Sequence, residues 1–289
     1  LAQVKQVGVD VLEQHKVTEF LFADGRVNGV SGLDESKTSF TLKAPLVIDA
    51  GGRNAISLRK MGLKNKPTGN IKIAMAAHWQ GAQIDDDYCC MHVSHPGYTG
   101  ISSVGRDRSN VVLVVNRQSM NGEKPDKFYL DAVMRNGHRR KILQDAECIE
   151  SVRTIESLAF TVKPVTCGGL LLVGDAMGFI DPFTGEGIYL SLRSSEIAVE
   201  VADKAFKKSD WSNDILMDYE MRRKQEFDKK FLLSRIFQKL IYSRFFCDRL
   251  VRALRRKPEL AETLVGVIGD LSPAQRAVSL NFLLRLLSA

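Results

Sequence analysis

The stretch GDAMGFIDPFTGEGI, residues 174–188, follows the apolar run GGLLLV and precedes a long helical pattern. A buried strand that ends at once in glycine and aspartate, with proline and two glycines before the next helix, is the pattern expected where an α/β sheet opens toward a ligand. Gly174 has no side chain and permits close approach to the backbone. Asp175 projects a carboxylate from the strand tip, suited to accept hydrogen bonds from sugar-like hydroxyls. Pro182 stiffens the loop, and Gly185 and Gly187 expose backbone N–H groups where the helix begins at Ile188. Those donors, with the positive end of the helix dipole, favour a negative charge or an electron-rich ring. Ala176 and Glu186 complete the same stretch.

A second strand-turn-helix unit lies upstream. In APLVIDAGGRNAISLRKMGL an apolar strand ends in Asp49, Gly51 and Gly52 make the turn, and a short basic helix runs to Gly62. Before it, LAQVKQVG reads as the end of a helix leading into a strand, so the chain is expected to begin mid-fold. Asp24-Gly25 predicts a hairpin between FLFA and RVNGVSGL, with SFTLKAPLVIDA as a third strand-like piece. KNKPTGN, residues 64–70, reads as a linker. From Ile71 to Val165 the pattern is mostly β, interrupted by the helical KFYLDAVMRNGHRRKIL. After Gly187, the residues Ile188, Leu192, Ser195, Ala198 or Val199, Ala202 and Ala205 recur at helical spacing and predict the face packed on a sheet. The remainder is helical, with Ser272 and Pro273 expected to start the last helix.

Composition narrows the class. The chain has 289 residues, is 44% hydrophobic and carries a formal charge of +7. No run approaches the roughly 18 apolar residues of a membrane-spanning helix, so a cytoplasmic protein is expected. The basicity is local: residues 204–258 hold sixteen Lys or Arg against seven Asp or Glu, and the rest of the chain sums to −2. A solvated helical face is the plain reading of that segment. RIFQKLIYSRFFCDRLVRALRRK also mixes apolar residues with Arg as an interfacial helix does, which makes an anionic membrane surface a partner; nucleic acid is not expected. The five cysteines include no CxxC. Strand alternation would place Cys90 and His92 on one face and Cys89 and His95 on the other, so no metal site is expected.

GDAMGFIDPFTGEGI with its following helix YLSLRSSEIAVEVADKA resembles the second flavin-binding motif of FAD-dependent oxidoreductases related to geranylgeranyl reductase and p-hydroxybenzoate hydroxylase. GVDVLEQHKVTEFLFADGRVNGV and LVIDAGGRNAISLRKMGL are similar to middle segments of that superfamily, so the resemblance covers residues 1–206. It implies FAD as cofactor, with Asp175 on the ribityl chain and Pro182, Gly185, Gly187 and Ile188 along the pyrimidine side of the ring. Gly174, Ala176, Glu186, Gly51 and Gly52 join that cofactor set. The nucleotide fingerprint GxGxxG is not in the chain, and the first βαβ unit is expected upstream of it. Gly51 stands where many hydroxylases of the superfamily carry Asp, which favours the reductase-like branch; yet of the reductases' Tyr-x-Trp-x-Phe-Pro signature only Tyr98 is met, with Gly100 in place of Trp.

The resulting expectation is an α/β (α+β) protein: a partial Rossmann-like FAD-binding domain in two pieces (1–66 and 166–206), an inserted antiparallel β-rich substrate domain (67–165), and a basic helical C-terminal region (207–289). The expected activity is reduction of a hydrophobic, prenyl or lipid-like substrate by hydride transfer from reduced FAD, with NAD(P)H or another donor supplying electrons. His78, Trp79, His95 and Tyr98 are the candidate substrate contacts. No catalytic acid or base is named. Flavin monooxygenation, halogenase-related chemistry and a non-catalytic membrane-associated module are the alternatives, and peripheral attachment would place the protein at a membrane.

Overall fold

The computed structural model describes residues 2–65, 71–156, 158–179 and 182–287. Most of the expected linker, residues 66–70, lies outside the described residues, as do Ile180 and Asp181. The order of elements is α1 (Ala2–Gln6), β1 (Lys16–Ala23), β2 (Arg26–Leu33), β3 (Ser39–Lys43), β4 (Val47–Asp49), α2 (Ile56–Lys60), β5 (Lys72–Gln80), β6 (Cys89–Ser94), β7 (Gly97–Gly105) and β8 (Arg108–Asn116). Then follow α3 (Pro125–Arg135), α4 (Gly137–Leu143), β9 (Glu147–Cys148), β10 (Arg153–Glu156), β11 (Leu170–Leu172) and α5 (Gly187–Lys208). The chain continues as α6 (Asn213–Ile241), α7 (Arg244–Arg256), α8 (Pro258–Ile268), α9 (Gln275–Val278) and α10 (Leu280–Leu287). These fall into two compact units, one formed by residues 1–65, 161–179 and 187–228, the other by 66–160, 180–186 and 229–289.

The first unit holds the antiparallel sheet β1-β2-β3 and the parallel pair β4-β11. Asp24 and Gly25 both have positive φ, 51° and 73°, the backbone of the expected hairpin. The third strand-like piece of the sequence divides in two. Ala44 N–H still bonds back to Asn28 of β2, whereas Val47 N–H bonds to Gly169, beyond Pro45, which has no N–H to continue a ladder. Pairing of Val47, Ile48 and Asp49 with Leu170, Leu171 and Leu172 then brings both strands to an end at the same level.

Helix α5 forms where expected but is rotated about its axis. Its buried stripe is Leu190, Ser194, Ile197, Ala198, Val201 and Ala205; Ala198 and Ala205 belong to the expected face, while Ile188 and Leu192 of that face are exposed. The reason is polar: Ser194 Oγ accepts the Gly174 N–H at 2.9 Å, so a serine occupies the buried face to satisfy a donor freed at the strand end.

The second unit is built on an antiparallel sheet in the order β10-β5-β8-β7-β6, with β9 alongside β5. One face buries Ile73, Met75, Ala77 and Trp79 of β5 with Val111 and Leu113 of β8 against Phe128, Tyr129, Ala132 and Val133 of α3. Strand alternation explains this face, because the four β5 residues are two apart. The corner between α3 and α4 is closed by Arg139, buried to 1% exposure, whose guanidinium donates to the carbonyls of Val133 and Ala132 and to Ser94 Oγ. It thereby satisfies carbonyls that the end of α3 leaves open.

Helix α6 belongs to the first unit through Asp228 and to the second from Lys229; in the second, Leu233 and Phe237 enter a core with Leu260, Leu264, Val267 and Phe282. The last helix also starts later than expected. Ser272 N–H bonds back to Gly266, which holds Ser272 and Pro273 in the turn, and α9 begins at Gln275 before a break at Ser279.

Gly169, at φ +74°, would place a Cβ 1.9 Å from the Val27 carbonyl oxygen. Gly62 has a similar φ, +60°, in open space. Gly169→Ala should therefore cost roughly 3 kcal/mol or more and Gly62→Ala about 1 kcal/mol, a difference that urea denaturation midpoints will show.

Candidate functional site

The parallel strands β4 and β11 are each followed by a tight 3-10 turn, Gly52–Asn54 after β4 and Gly174–Met177 after β11, and the two turns lie against each other. Carboxyl ends of adjacent parallel strands are where open α/β sheets present backbone groups to ligands. Gly52 (φ +64°) would meet nothing within 4 Å if it carried a Cβ, and Gly187 at the start of α5 is equally open. Ile188 is 78% exposed. The first N–H groups of a 22-residue helix are thus accessible on this unit.

Each turn is held by a side chain. Asp49 is buried, and its carboxylate accepts the N–H of Gly51 and of Ser57, both at 2.9 Å, clamping the glycine turn and the start of α2 together. Gly51 is confined by this clamp, since a Cβ there would lie 2.9 Å from Asp49 Oδ1. On the other strand, Ser194 holds Gly174, and Tyr219 Oη donates to the Leu172 carbonyl at 2.5 Å. Ala176 is fully buried beneath the turn.

Asp175 differs from Asp49. It is half-buried, and its carboxylate accepts no hydrogen bond and makes no ion pair among the described residues. Burial pushes its carboxyl above the usual carboxylate range, and the Arg53 guanidinium pulls it back. Arg53, from the neighbouring turn, also lies over the Phe179 ring at 6.0 Å. The arrangement is an acceptor with spare capacity beside a guanidinium and two open glycines, suited to hydroxyl donors and a nearby anion. Neither Arg53 nor Ser194 stood out in the sequence; the run GGRN after a strand-ending aspartate was the available signal for Arg53.

Other residues of the motif belong to the second unit. Pro182–Thr184 forms a 3-10 turn, and the Phe183 ring stands edge-on to Tyr98 at 5.1 Å and near Phe237 at 6.4 Å. Gly185 has φ +73° in open space. The Glu186 side chain is buried, accepting from Thr184 Oγ1 at 3.1 Å and pairing with Lys230, which also contacts Asp270. Its carboxylate is therefore committed within the protein, leaving its backbone for any ligand.

The four expected substrate contacts separate. Trp79 faces the core at 4% exposure and donates to Tyr129 Oη, so its expected role is corrected to packing; His78, its neighbour, necessarily lies on the opposite face of the sheet. Tyr98 shares the face of His78, and His95 is exposed at the β6–β7 turn. Cys89, Cys90, His92 and His95 do not converge, and among the described residues no cluster suited to a metal ion occurs.

Comparison with known proteins places this geometry. The chain superposes on a geranylgeranyl bacteriochlorophyll reductase-like protein of Thermoplasma acidophilum with a TM-score of 0.74 at 23% identity, covering 99% of this chain and 69% of that one. It superposes on a flavin-dependent brominase with a TM-score of 0.80 at 17% identity, covering 93% and 67%; at such identities these matches show the fold. In sequence it is similar to the digeranylgeranylglycerophospholipid reductase of Methanocaldococcus jannaschii, 32% identical over 73% of this chain and 54% of the relative. Digeranylgeranylglycerophospholipid reductase 1 of Methanococcoides burtonii is 27% identical over 82% and 58%. The chain thus spans about half the length of these relatives.

Because the Asp175 carboxyl is raised on folding, its ionisation disfavours the folded state once pH rises above the ordinary carboxylate range. Asp175→Asn should stabilise the ligand-free protein at neutral pH by roughly half a kcal/mol, a figure kept small because solvent still reaches the group. The gain should vanish below pH of about 4, as urea titrations at the two pH values will report. Residues 1–225 match the family described as FAD binding domain, and with the glycine turns and Asp175 gathered at the paired strand ends, the chain belongs to that family.

Proposed function

We propose that this chain is the flavin- and substrate-binding part of an FAD-dependent reductase that saturates C=C bonds in a prenyl or lipid-like substrate. The residues present fit the cofactor: Asp175 has an unused acceptor for ribityl hydroxyls, Gly52 and Gly187 leave room at the backbone, and the start of α5 offers donors. Bound reduced FAD supplies the hydride. The protein's part is to orient and to bias charge. Asp175 fixes the sugar chain, Arg53 and the α5 N-terminus favour negative charge nearby, and Asp49 keeps the Gly51–Gly52 turn in shape. A reduced nicotinamide or another donor would restore the reduced flavin.

The observation that carries the substrate class is on the second unit. On the sheet face opposite the α3 core, two cross-strand rows are apolar: Ala74, Val114, Tyr98 and Val93, then Ala76, Val112, Gly100 and Met91. The first row is covered, with Val114 and Tyr98 buried and the Phe183 ring against Tyr98, whereas the second, half-buried through Ala76, Val112 and Gly100, leaves a shallow apolar strip that suits a polyprenyl chain better than a polar metabolite. The names of the reductase relatives point the same way.

Titration of that whole reductase with FAD, followed by flavin absorbance, should show binding. Asp175→Ala should weaken it about ten- to a hundredfold, the loss of one hydrogen bond to a charged group. With chemically reduced FAD, mass spectrometry should find prenyl lipid gaining two hydrogens per saturated bond; a protein that binds no flavin, or leaves the lipid unchanged, refutes the reading.

We also propose a peripheral membrane surface at α7. Phe245, Phe246 and Val251 are exposed there among Arg252, Arg255 and Arg256, a combination that suits an anionic bilayer surface. No helix among the described residues is long and apolar enough to cross a membrane. Anionic vesicles should co-sediment the protein at low salt and release it at high salt, and Phe245→Ser with Phe246→Ser should reduce binding about tenfold.

A further inference from the structure

The two apolar rows of the sheet are followed on the same face by a polar one, His78, Asn110, Ser102 and Cys89. At that end of the sheet is an open cavity of about 460 Å³, lined by His78, Val104, Gly105, Arg106, Arg108, Ile149 and Glu150. It lies wholly within the second unit.

The charges around it do not cancel. Glu150 accepts the His78 N–H at 3.1 Å, contacts His78 Nδ1 at 2.7 Å and pairs with Arg153 at 3.3 Å, so its carboxylate is committed. With Nδ1 engaged, Nε2 is the ring nitrogen left for another partner. Arg106 and Arg108 make no hydrogen bond or ion pair through their side chains among the described residues. Asp107, between them in sequence, is not part of the cavity lining; its carbonyl accepts from Gly81 N–H.

The backbone adds a second observation. Gly105, Arg106 and Asp107 have φ of +78°, +54° and +57°, three consecutive left-handed residues. A two-residue hairpin turn with both central φ positive is most readily made by Asn-Gly. Here arginine and aspartate occupy the two central positions, at a cost in backbone energy that glycine or asparagine would avoid. The turn thus brings Arg106 and Arg108 to the cavity that His78, already oriented by the Glu150 carboxylate, also lines.

We propose that this cavity binds a phosphate group, with Arg106 and Arg108 as the charged donors and His78 as the oriented third. Guanidinium forks match the oxygens of a phosphate, and the volume admits a phosphate with an organic substituent. The group could be presented by a soluble phosphate monoester or by a lipid headgroup. The site stands apart from the flavin reading, because phosphate binding is measured with no flavin present.

The test uses inorganic phosphate, glycerol phosphate and monomeric dihexanoyl phosphatidic acid, titrated into the chain. The readout is the imidazole proton resonance of His78, assigned among the five histidines by its loss in His78→Gln. The His78 resonance should shift saturably, and Arg106→Gln with Arg108→Gln should weaken binding at least tenfold. Equal affinity for all three probes assigns the phosphate alone, and tenfold tighter phosphatidic acid assigns a lipid headgroup; both support the site. A His78 resonance unmoved by every probe overturns it, and so does binding that the double variant retains. Should the variant fail to fold, the wild-type resonance still decides.

Discussion

The constraint on which the candidate site depends is the in-register parallel pairing of β4 and β11. Leu172 lies opposite Asp49, and Val173 N–H reaches the Asp49 carbonyl at 3.2 Å. The two strands therefore stop together, and both must turn at once. Freed backbone donors appear at the same level on both, and each is met by a side chain: Asp49 for Gly51 and Ser57, Ser194 for Gly174. A buried donor left unmet would cost about 1–3 kcal/mol, so these polar residues sit in otherwise apolar positions for a structural reason. What is left over after that satisfaction is Asp175, and it is the acceptor available to a cofactor.

Two aspartates at equivalent strand ends thus have opposite duties. Asp49 is spent inside the fold, which keeps Gly51 and Gly52 in their turn. Asp175 is half-desolvated with its acceptor capacity unused, a state that weakens the empty protein and favours a partner bearing hydroxyls. Arg53 supplies the positive charge that makes this tolerable. The same division appears in the second unit, where Glu186 is consumed by Lys230 and Thr184 although it lies within the glycine-rich motif.

Much of the fold was legible in the residues. Asp24-Gly25 marked its hairpin because both positions need positive φ, and GGLLLV followed by GDA marked a buried strand and the turn that ends it. The alternation of KIAMAAHWQ marked a half-buried strand. Alternation could not say which phase was buried: His78 and Trp79 were both candidates for substrate contact, and only the packing of α3 sent Trp79 into the core, where Tyr129 receives its N–H. In the same way the helical spacing placed Ala198 and Ala205 on the inner face of α5 correctly but not Ile188 and Leu192, and it did not mark Ser194, which is buried and accepts the Gly174 N–H.

By itself the sequence determined the local elements and the chemistry of the motif: glycines where backbone must be open, aspartates where strands end, arginines concentrated in the C-terminal helices. These follow from short-range sterics and from residue type. Tertiary structure decided which of those groups are free. Whether an aspartate is a clamp or keeps its acceptors unused, whether an arginine is paired or not, depends on partners distant in sequence, as Asp49 with Ser57 and Gly174 with Ser194 show. Hydrogen-bond satisfaction is a property of the assembled fold, and no local pattern records it.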